Sequence, residues 1–116
     1  MIVFGQVPEV GWDVPKYYAY QSIYNDVKST IHTHNFNNYK SRTSKFNKIF
    51  NSIDSNNLYF YSLSHLFCDE GTKKCIMNKG NDLLYRDDNH LSLIGTKIVA
   101  RDFIEKFGPI LLKKNN

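Results

Sequence analysis

Asn57-Leu58-Tyr59-Phe60-Tyr61-Ser62-Leu63 carries a continuous aromatic and apolar run from Leu58 to Tyr61, resumed at Leu63 and closed off in front by Asp54-Ser55-Asn56, and it constrains the fold more than any other stretch. A strand with one wet face alternates apolar and polar residues, so a continuous run predicts a strand over residues 57–64 that is covered on both faces. Ahead of it, Tyr39, Phe46, Ile49, Phe50 and Ile53 recur at helical spacing opposite a Lys, Ser and Asn face, which predicts a helix over residues 39–54. Residues 2–7 are β-rich, and Pro8-Glu9-Val10-Gly11-Trp12-Asp13-Val14-Pro15 breaks them with two prolines and a glycine; residues 1–15 therefore read as a buried strand and a Pro-rich loop. Strand, helix, strand in that order predicts a parallel crossover unit in an α/β fold.

The remaining segments fill in around that unit. From Lys16 to about Asn38 the signal is mixed, with Tyr17, Tyr18, Tyr20, Tyr24 and Ile31 set among polar residues, and the reading is one short helix inside a long excursion. Residues 68–75 form a polar, turn-prone loop between two cysteines, and residues 85–92 form a second polar block. Val99, Phe103 and Phe107 then make an apolar line with Ile94 and Ile98 beside it, predicting a helix over 93–107 with Ser92 as its N-cap and Gly108-Pro109 as its stop. Leu111 to Asn116 read as a fraying tail. With 116 residues there is room for one domain. Two parallel strands make a poor free-standing sheet, because the first presents an unpaired apolar edge, so another strand is expected beside it.

Composition narrows the function classes. The chain is 41% hydrophobic and 15% aromatic with 22% charged residues, which is globular and argues against disorder. A net charge of +4 favours acidic partners, but the lysines are scattered and no basic run interleaves with aromatics, so nucleic acid is not an expected partner. Met1-Ile2-Val3-Phe4 runs into Gly5-Gln6-Val7-Pro8 without a basic region or a long apolar core, and no run is long enough to span a membrane; neither a signal peptide nor direct membrane insertion is expected. By themselves these features describe a cytosolic chain. The two cysteines, Cys68 and Cys75, point the other way if they form a local disulfide, which needs an oxidising compartment; the alternative is a pair of reduced thiols.

The chemistry concentrates in Tyr85-Arg86-Asp87-Asp88-Asn89-His90-Leu91-Ser92-Leu93-Ile94-Gly95. Asp87 stands three positions before His90, a spacing that suits a histidine base and the acid that fixes its tautomer. The plainer reading is a surface turn in which Asp87 or Asp88 caps a helix and His90 is solvated. His32 and His34, with Cys68 or His65, are the candidates for a metal site, but no second ligand pair stands at a metal-binding spacing, and neither a metal nor a cofactor is expected. Trp12 suits either the floor of a sugar-binding cleft or packing material beside a Pro-rich loop, the second being favoured.

Leu84 to Ser92 followed by Gly95 resembles the last signature block of the SGNH hydrolase superfamily, in the version found at the end of bacterial membrane-bound acyltransferases that modify cell-envelope glycans. Val3 to Trp12 is similar to the strand and Pro-rich loop in the middle of such domains, and Cys68 and Cys75 resemble the cysteine pair they often carry before the terminal block. The resemblance covers nearly the whole chain but only the second half of the family's domain. It implies a flavodoxin-like three-layer sandwich with about five parallel strands, of which this chain supplies about two with their flanking helices. It makes His90 the base and Asp87 its orienting acid. The Gly-Asp-Ser-type block that gives the family's nucleophile, and the glycine and asparagine that complete its oxyanion hole, have no counterpart in residues 1–116, and Ser62, Ser64 and Ser92 are not substitutes. The resemblance implies action on O-acyl groups of cell-envelope polysaccharide, on the extracytoplasmic side of a membrane, with the missing half or another chain along the first strand's edge. The alternatives are a non-catalytic α/β interaction module and a truncated fragment.

Overall fold

The computed structural model describes residues 1–24, 33–53 and 56–114. In chain order the elements are β1 (Ile2–Phe4), α1 (Val14–Tyr24), β2 (Thr33–Asn35), α2 (Phe36–Ser52), β3 (Tyr59–Tyr61), α3 (Ser64–Phe67), β4 (Cys68–Asp69), β5 (Lys74–Ile76), β6 (Asn78–Lys79), β7 (Asp82–Leu83) and α4 (Leu93–Lys114).

The crossover unit is present. β1 and β3 pair in parallel with Ile2, Val3 and Phe4 opposite Tyr59, Phe60 and Tyr61, and the ladder is extended by Tyr59 N–H to the Met1 carbonyl and Gly5 N–H to the Tyr61 carbonyl. Successive side chains of a strand point to opposite faces, and the run in β3 uses both. Phe60 meets Phe50 and Phe46 of α2 at centroid distances of 5.8 and 6.0 Å, while Tyr61 meets Phe103 and Phe107 of α4 at 5.7 and 5.6 Å. Helix, sheet and helix therefore make three layers, the expected partial sandwich. Both strands are shorter than the expected 2–7 and 57–64, since the ladder gives way to the Pro-rich loop after Gly5 and to α3 after Leu63.

Helix boundaries differ from expectation in instructive ways. Asp13 caps α1 by accepting from Lys16 N–H through Oδ1, and Pro15 sits in the first turn, where its missing N–H costs nothing; the rest of the expected excursion from residue 25 to 32, with Ile31 and His32, lies outside the described residues. α2 begins at Phe36, three residues early, because Asn35 caps it by accepting from Asn37 N–H. Its buried face is Phe36, Tyr39 and Thr43, continued by Phe46 and Phe50, whereas Ile49 and Ile53 are exposed although they fit the helical spacing. Asp54 and Ser55, the expected break before β3, lie outside the described residues. α4 does not stop at Gly108-Pro109 but continues to Lys114, so most of the expected fraying tail is helical and only Asn115 and Asn116 lie outside the described residues. Proline's fixed φ is itself helical, and Pro109 costs the hydrogen bond that the Glu105 carbonyl would have received together with the crowding of its ring against that carbonyl. Val99, Phe103 and Phe107 pack into the core as the apolar line requires, while Ile94 is exposed.

The stretch over residues 68–75 is a hairpin and not only a loop. β4 and β5 pair antiparallel with Cys68 opposite Cys75, whose sulfurs are bonded, and β2 adds on the other side with His34 opposite Cys75. Asp69 Oδ1 shapes the turn by accepting from Gly71 and Thr72 N–H. The bridge closes a short loop, seven residues apart in sequence, so reduction should cost about 2 kcal/mol by the loop-closure argument. Thermal melts with and without dithiothreitol should show that loss as a lower midpoint.

Candidate functional site

The Asp87–His90 block is a tight reversal held at its base by an antiparallel bridge between Tyr85 and Leu91 and by Arg86 N–H to the His90 carbonyl. Inside it the two oxygens of Asp87 divide their work. Oδ1 accepts from the backbone N–H groups of Asn89 and His90, at 2.9 and 2.6 Å, and so builds an Asx turn. Oδ2 lies 2.8 Å from His90 Nδ1. An ionised carboxylate only accepts, so Nδ1 carries a proton, and in the neutral imidazole the lone pair is then on Nε2. The backbone N–H groups of Asn89 and His90, with the imidazole behind them, hold the Asp87 carboxyl at about 2, below its ordinary 3.8. The His90 side chain is 59% exposed, so its Nε2 side is open for a reacting group.

Long-range bonds fix this reversal against the Pro-rich loop. Val10 N–H donates to the Asp88 carbonyl, Val14 N–H to the Asp87 carbonyl, and the buried Tyr85 hydroxyl donates to the Pro8 carbonyl at 2.7 Å. Tyr85 is a residue the sequence reading did not single out. Its place in the signature block was the available signal, but nothing local indicated a bond 77 residues away.

The hydroxyls of Ser62, Ser64 and Ser92 are engaged elsewhere than at His90. Ser92 Oγ donates to the Leu83 carbonyl at 2.6 Å and accepts from Gly95 N–H at 3.1 Å, so it is the N-cap of α4, as expected. Ser62 and Ser64 face one another, Oγ to Oγ, at 3.0 Å. Ser92→Ala should cost about 1 kcal/mol through loss of the cap, read as a lower urea midpoint.

Three further groups bear on function. His65 forms a second histidine–carboxylate pair with Asp102, Nε2 to Oδ2 at 3.0 Å, but the same carboxylate oxygen accepts from the Tyr61 hydroxyl and lies 3.6 Å from Lys106 Nζ. With its acceptor shared three ways, this cluster ties α4 to β3, and its members stand too far apart in sequence to be read as a motif. His34 is buried and its pKa is lowered by burial to about 4. Cys68, one of its candidate co-ligands, is bound in the disulfide, His32 lies outside the described residues, and among the described residues no three His, Cys, Asp or Glu side chains gather as a metal site. Trp12 is half-exposed: it packs beside Tyr17 and His34, at centroid distances of 6.0 and 6.4 Å, and also lines a cleft where the Pro-rich loop turns at Gly11, with φ of 94°.

The family model for the SGNH domain fused to AT3 domains matches residues 1–105. The chain belongs to this family. No curated protein and no solved structure matches it. As an SGNH domain it is of the hydrolase and acyltransferase type, and the match spans both the Pro-rich loop and the Asp87–His90 block. No described helix is long and apolar enough to cross a membrane.

Proposed function

We propose that residues 1–116 form the base-bearing, C-terminal part of an SGNH domain that moves small acyl groups, acetyl foremost, on or off cell-envelope polysaccharide. The observation that supports this most is the Asp87–His90 pair, with the proton on Nδ1 and a free lone pair on an open Nε2. In this reading Nε2 takes the proton of a serine hydroxyl as the serine oxygen adds to the acyl carbonyl carbon. Collapse of the tetrahedral adduct breaks the bond to the leaving oxygen, which receives that proton, and leaves an acyl-serine. A sugar hydroxyl or water then gives its proton to Nε2 while its oxygen takes the acyl group, and the proton returns to the serine. Asp87 stays ionised throughout and steadies the imidazolium.

The serine and the oxyanion donors come from a segment outside residues 1–116 that pairs along β1. Two features favour this. Among the described residues β1 has β3 as its one neighbour, and Phe4 at the end of β1 is 48% exposed although it stacks on Phe103. The disulfide favours an extracytoplasmic setting, where it persists. The open edge also favours the second reading, a non-catalytic module that pairs with another chain by strand addition.

Purified residues 1–116 should not hydrolyse p-nitrophenyl acetate, and co-expression with the upstream Gly-Asp-Ser-bearing segment should restore hydrolysis. Robust turnover by the chain alone, abolished in His90→Ala, would place the nucleophile inside it and overturn the proposal. A complex that forms along β1 but stays inactive would favour the interaction module.

A further inference from the structure

The Pro-rich loop does more than hold the Asp87–His90 block. Glu9, Val10, Gly11 and Trp12 of the Pro-rich loop line a cleft of about 280 Å³ together with His34 and Asn35 of β2 and Asn38 and Arg42 of α2. That volume is just below the roughly 300–1,000 Å³ of pockets for drug-sized ligands and suits a single ring. Its chemistry is mixed in a particular way. The Trp12 indole, 42% exposed, offers a flat apolar face. Around it stand donors and acceptors in balance: the Asn38 amide, the Arg42 guanidinium and the Glu9 carboxylate, the last two joined as an ion pair and so carrying no net charge into the cleft.

His34 adds an unused bond. It is 7% exposed, and its Nε2 is buried with no hydrogen-bonding partner among the described residues. A buried polar atom in that condition calls for an explanation. The Trp12 ring stands edge-on to the imidazole, with centroids 6.4 Å apart and planes at 85°, and both residues line the cleft. Burial keeps His34 neutral near pH 7, which matches it to a hydroxyl and not to an anion.

We infer that this cleft is a binding subsite for one neutral pyranose ring, with the apolar face of the sugar on Trp12 and its hydroxyls on His34 Nε2, Asn38 and the Glu9–Arg42 pair. A pyranose combines an apolar C–H face with a rim of hydroxyls, each both donor and acceptor, and that is the pattern the cleft presents. The Val10 N–H bond to the Asp88 carbonyl joins one wall of the cleft to the catalytic block, so a sugar held here lies along the same loop that positions His90. That the bound sugar is the acyl acceptor or carrier rests on the function proposed above; that the cleft binds a sugar does not.

Trp12 is the single tryptophan of the chain, so its fluorescence reports binding at its indole; it also borders a second hollow with Asp13, Lys16, Tyr17 and Tyr20, and the residues that respond tell the two apart. Titrating the 116-residue chain with triacetylchitotriose and, separately, cellotriose, excited at 295 nm, should give a saturable change in Trp12 emission with at least one of them. In ¹H–¹⁵N spectra the shifts should centre on Gly11, Asn38 and Arg42. Arg42→Ala and Asn38→Ala, both at exposed positions that leave the core intact, should each weaken binding at least fivefold, and His90→Ala should leave it unchanged. A protein with a cooperative melt that shows no saturable response to either sugar overturns the inference, as does undiminished binding in both cleft variants. An acyl-transfer activity that depends on His90, found alongside a silent titration, would leave the proposed function standing and remove only the subsite.

Discussion

Gly95→Ala should destabilise this chain by about 3 kcal/mol, the upper end of what forced overpacking costs, and lower its melting midpoint by roughly 10–15 °C for a domain of this size. A Cβ at position 95 would sit 2.3 Å from the Leu84 carbonyl oxygen and 3.2 Å from Leu91 Cδ2. The oxygen cannot step aside, because it is backbone and already accepts Ser92 N–H at 2.9 Å. The remaining response is for the first turn of α4 to back away. That movement strains the Ser92 cap on Leu83 and Gly95 and loosens the Tyr85–Leu91 bridge that closes the Asp87–His90 reversal. Gly95 thus carries the packing that keeps the Asp87–His90 reversal in place. Gly108→Ala, in the same helix, is the control: its Cβ would meet Ile104 Cγ2 at 3.7 Å, an ordinary contact, and the helix-propensity gain of alanine is offset by the crowding of a Cβ before Pro109, so the net change should be within about 1 kcal/mol. Equal midpoints for the two variants in thermal melts would sink the argument for close approach at Gly95.

The parts of the molecule that the sequence made legible are those decided within a few residues. Asp87 and His90 are three apart, and the turn between them is an Asx turn that aspartate makes for itself. Ser92 and Gly95 are likewise a local cap, and the aromatic run at Tyr59–Tyr61 declares a two-faced strand by composition alone. What stayed illegible depends on partners far along the chain. Thr33–Asn35 has no strand-like pattern, yet it pairs with β5, about 40 residues on, because Cys75 and its disulfide supply an edge to extend. That pairing in turn sets Asn35 as the cap of α2 and starts the helix at Phe36. Ile49 and Ile53 show the reverse: they obey the helical period but face outward, since the sheet beneath α2 is only two strands wide and offers Phe60 to Phe46 and Phe50. Trp12 is carried outward by a loop whose anchor is Tyr85, and no pattern around Trp12 encodes that tether.

If a nucleophile-bearing segment completes the domain as proposed, His90→Ala should lower acyl transfer by about 10⁴-fold or more, and Asp87→Asn by roughly 10⁴-fold, the losses typical when a hydroxyl nucleophile loses its base or the base its tautomer. The second variant is the more informative. Asparagine keeps an oxygen for the backbone N–H groups of Asn89 and His90, so the turn survives. It replaces Oδ2 with an amide that donates, which turns the imidazole to carry its proton on Nε2, where it can no longer accept one. The two roles of Asp87 also separate with pH. Its folded pKa, about 2, lies below the ordinary 3.8, so its ionised form contributes stability above pH 4 that is lost as pH falls toward 2. Asp87→Asn has no such group to protonate, and its stability should fall less steeply than wild type between pH 4 and pH 2 in urea melts. A variant that keeps wild-type turnover near pH 7 while showing the flattened acid limb would assign Asp87 to the turn alone and take it out of the catalytic pair.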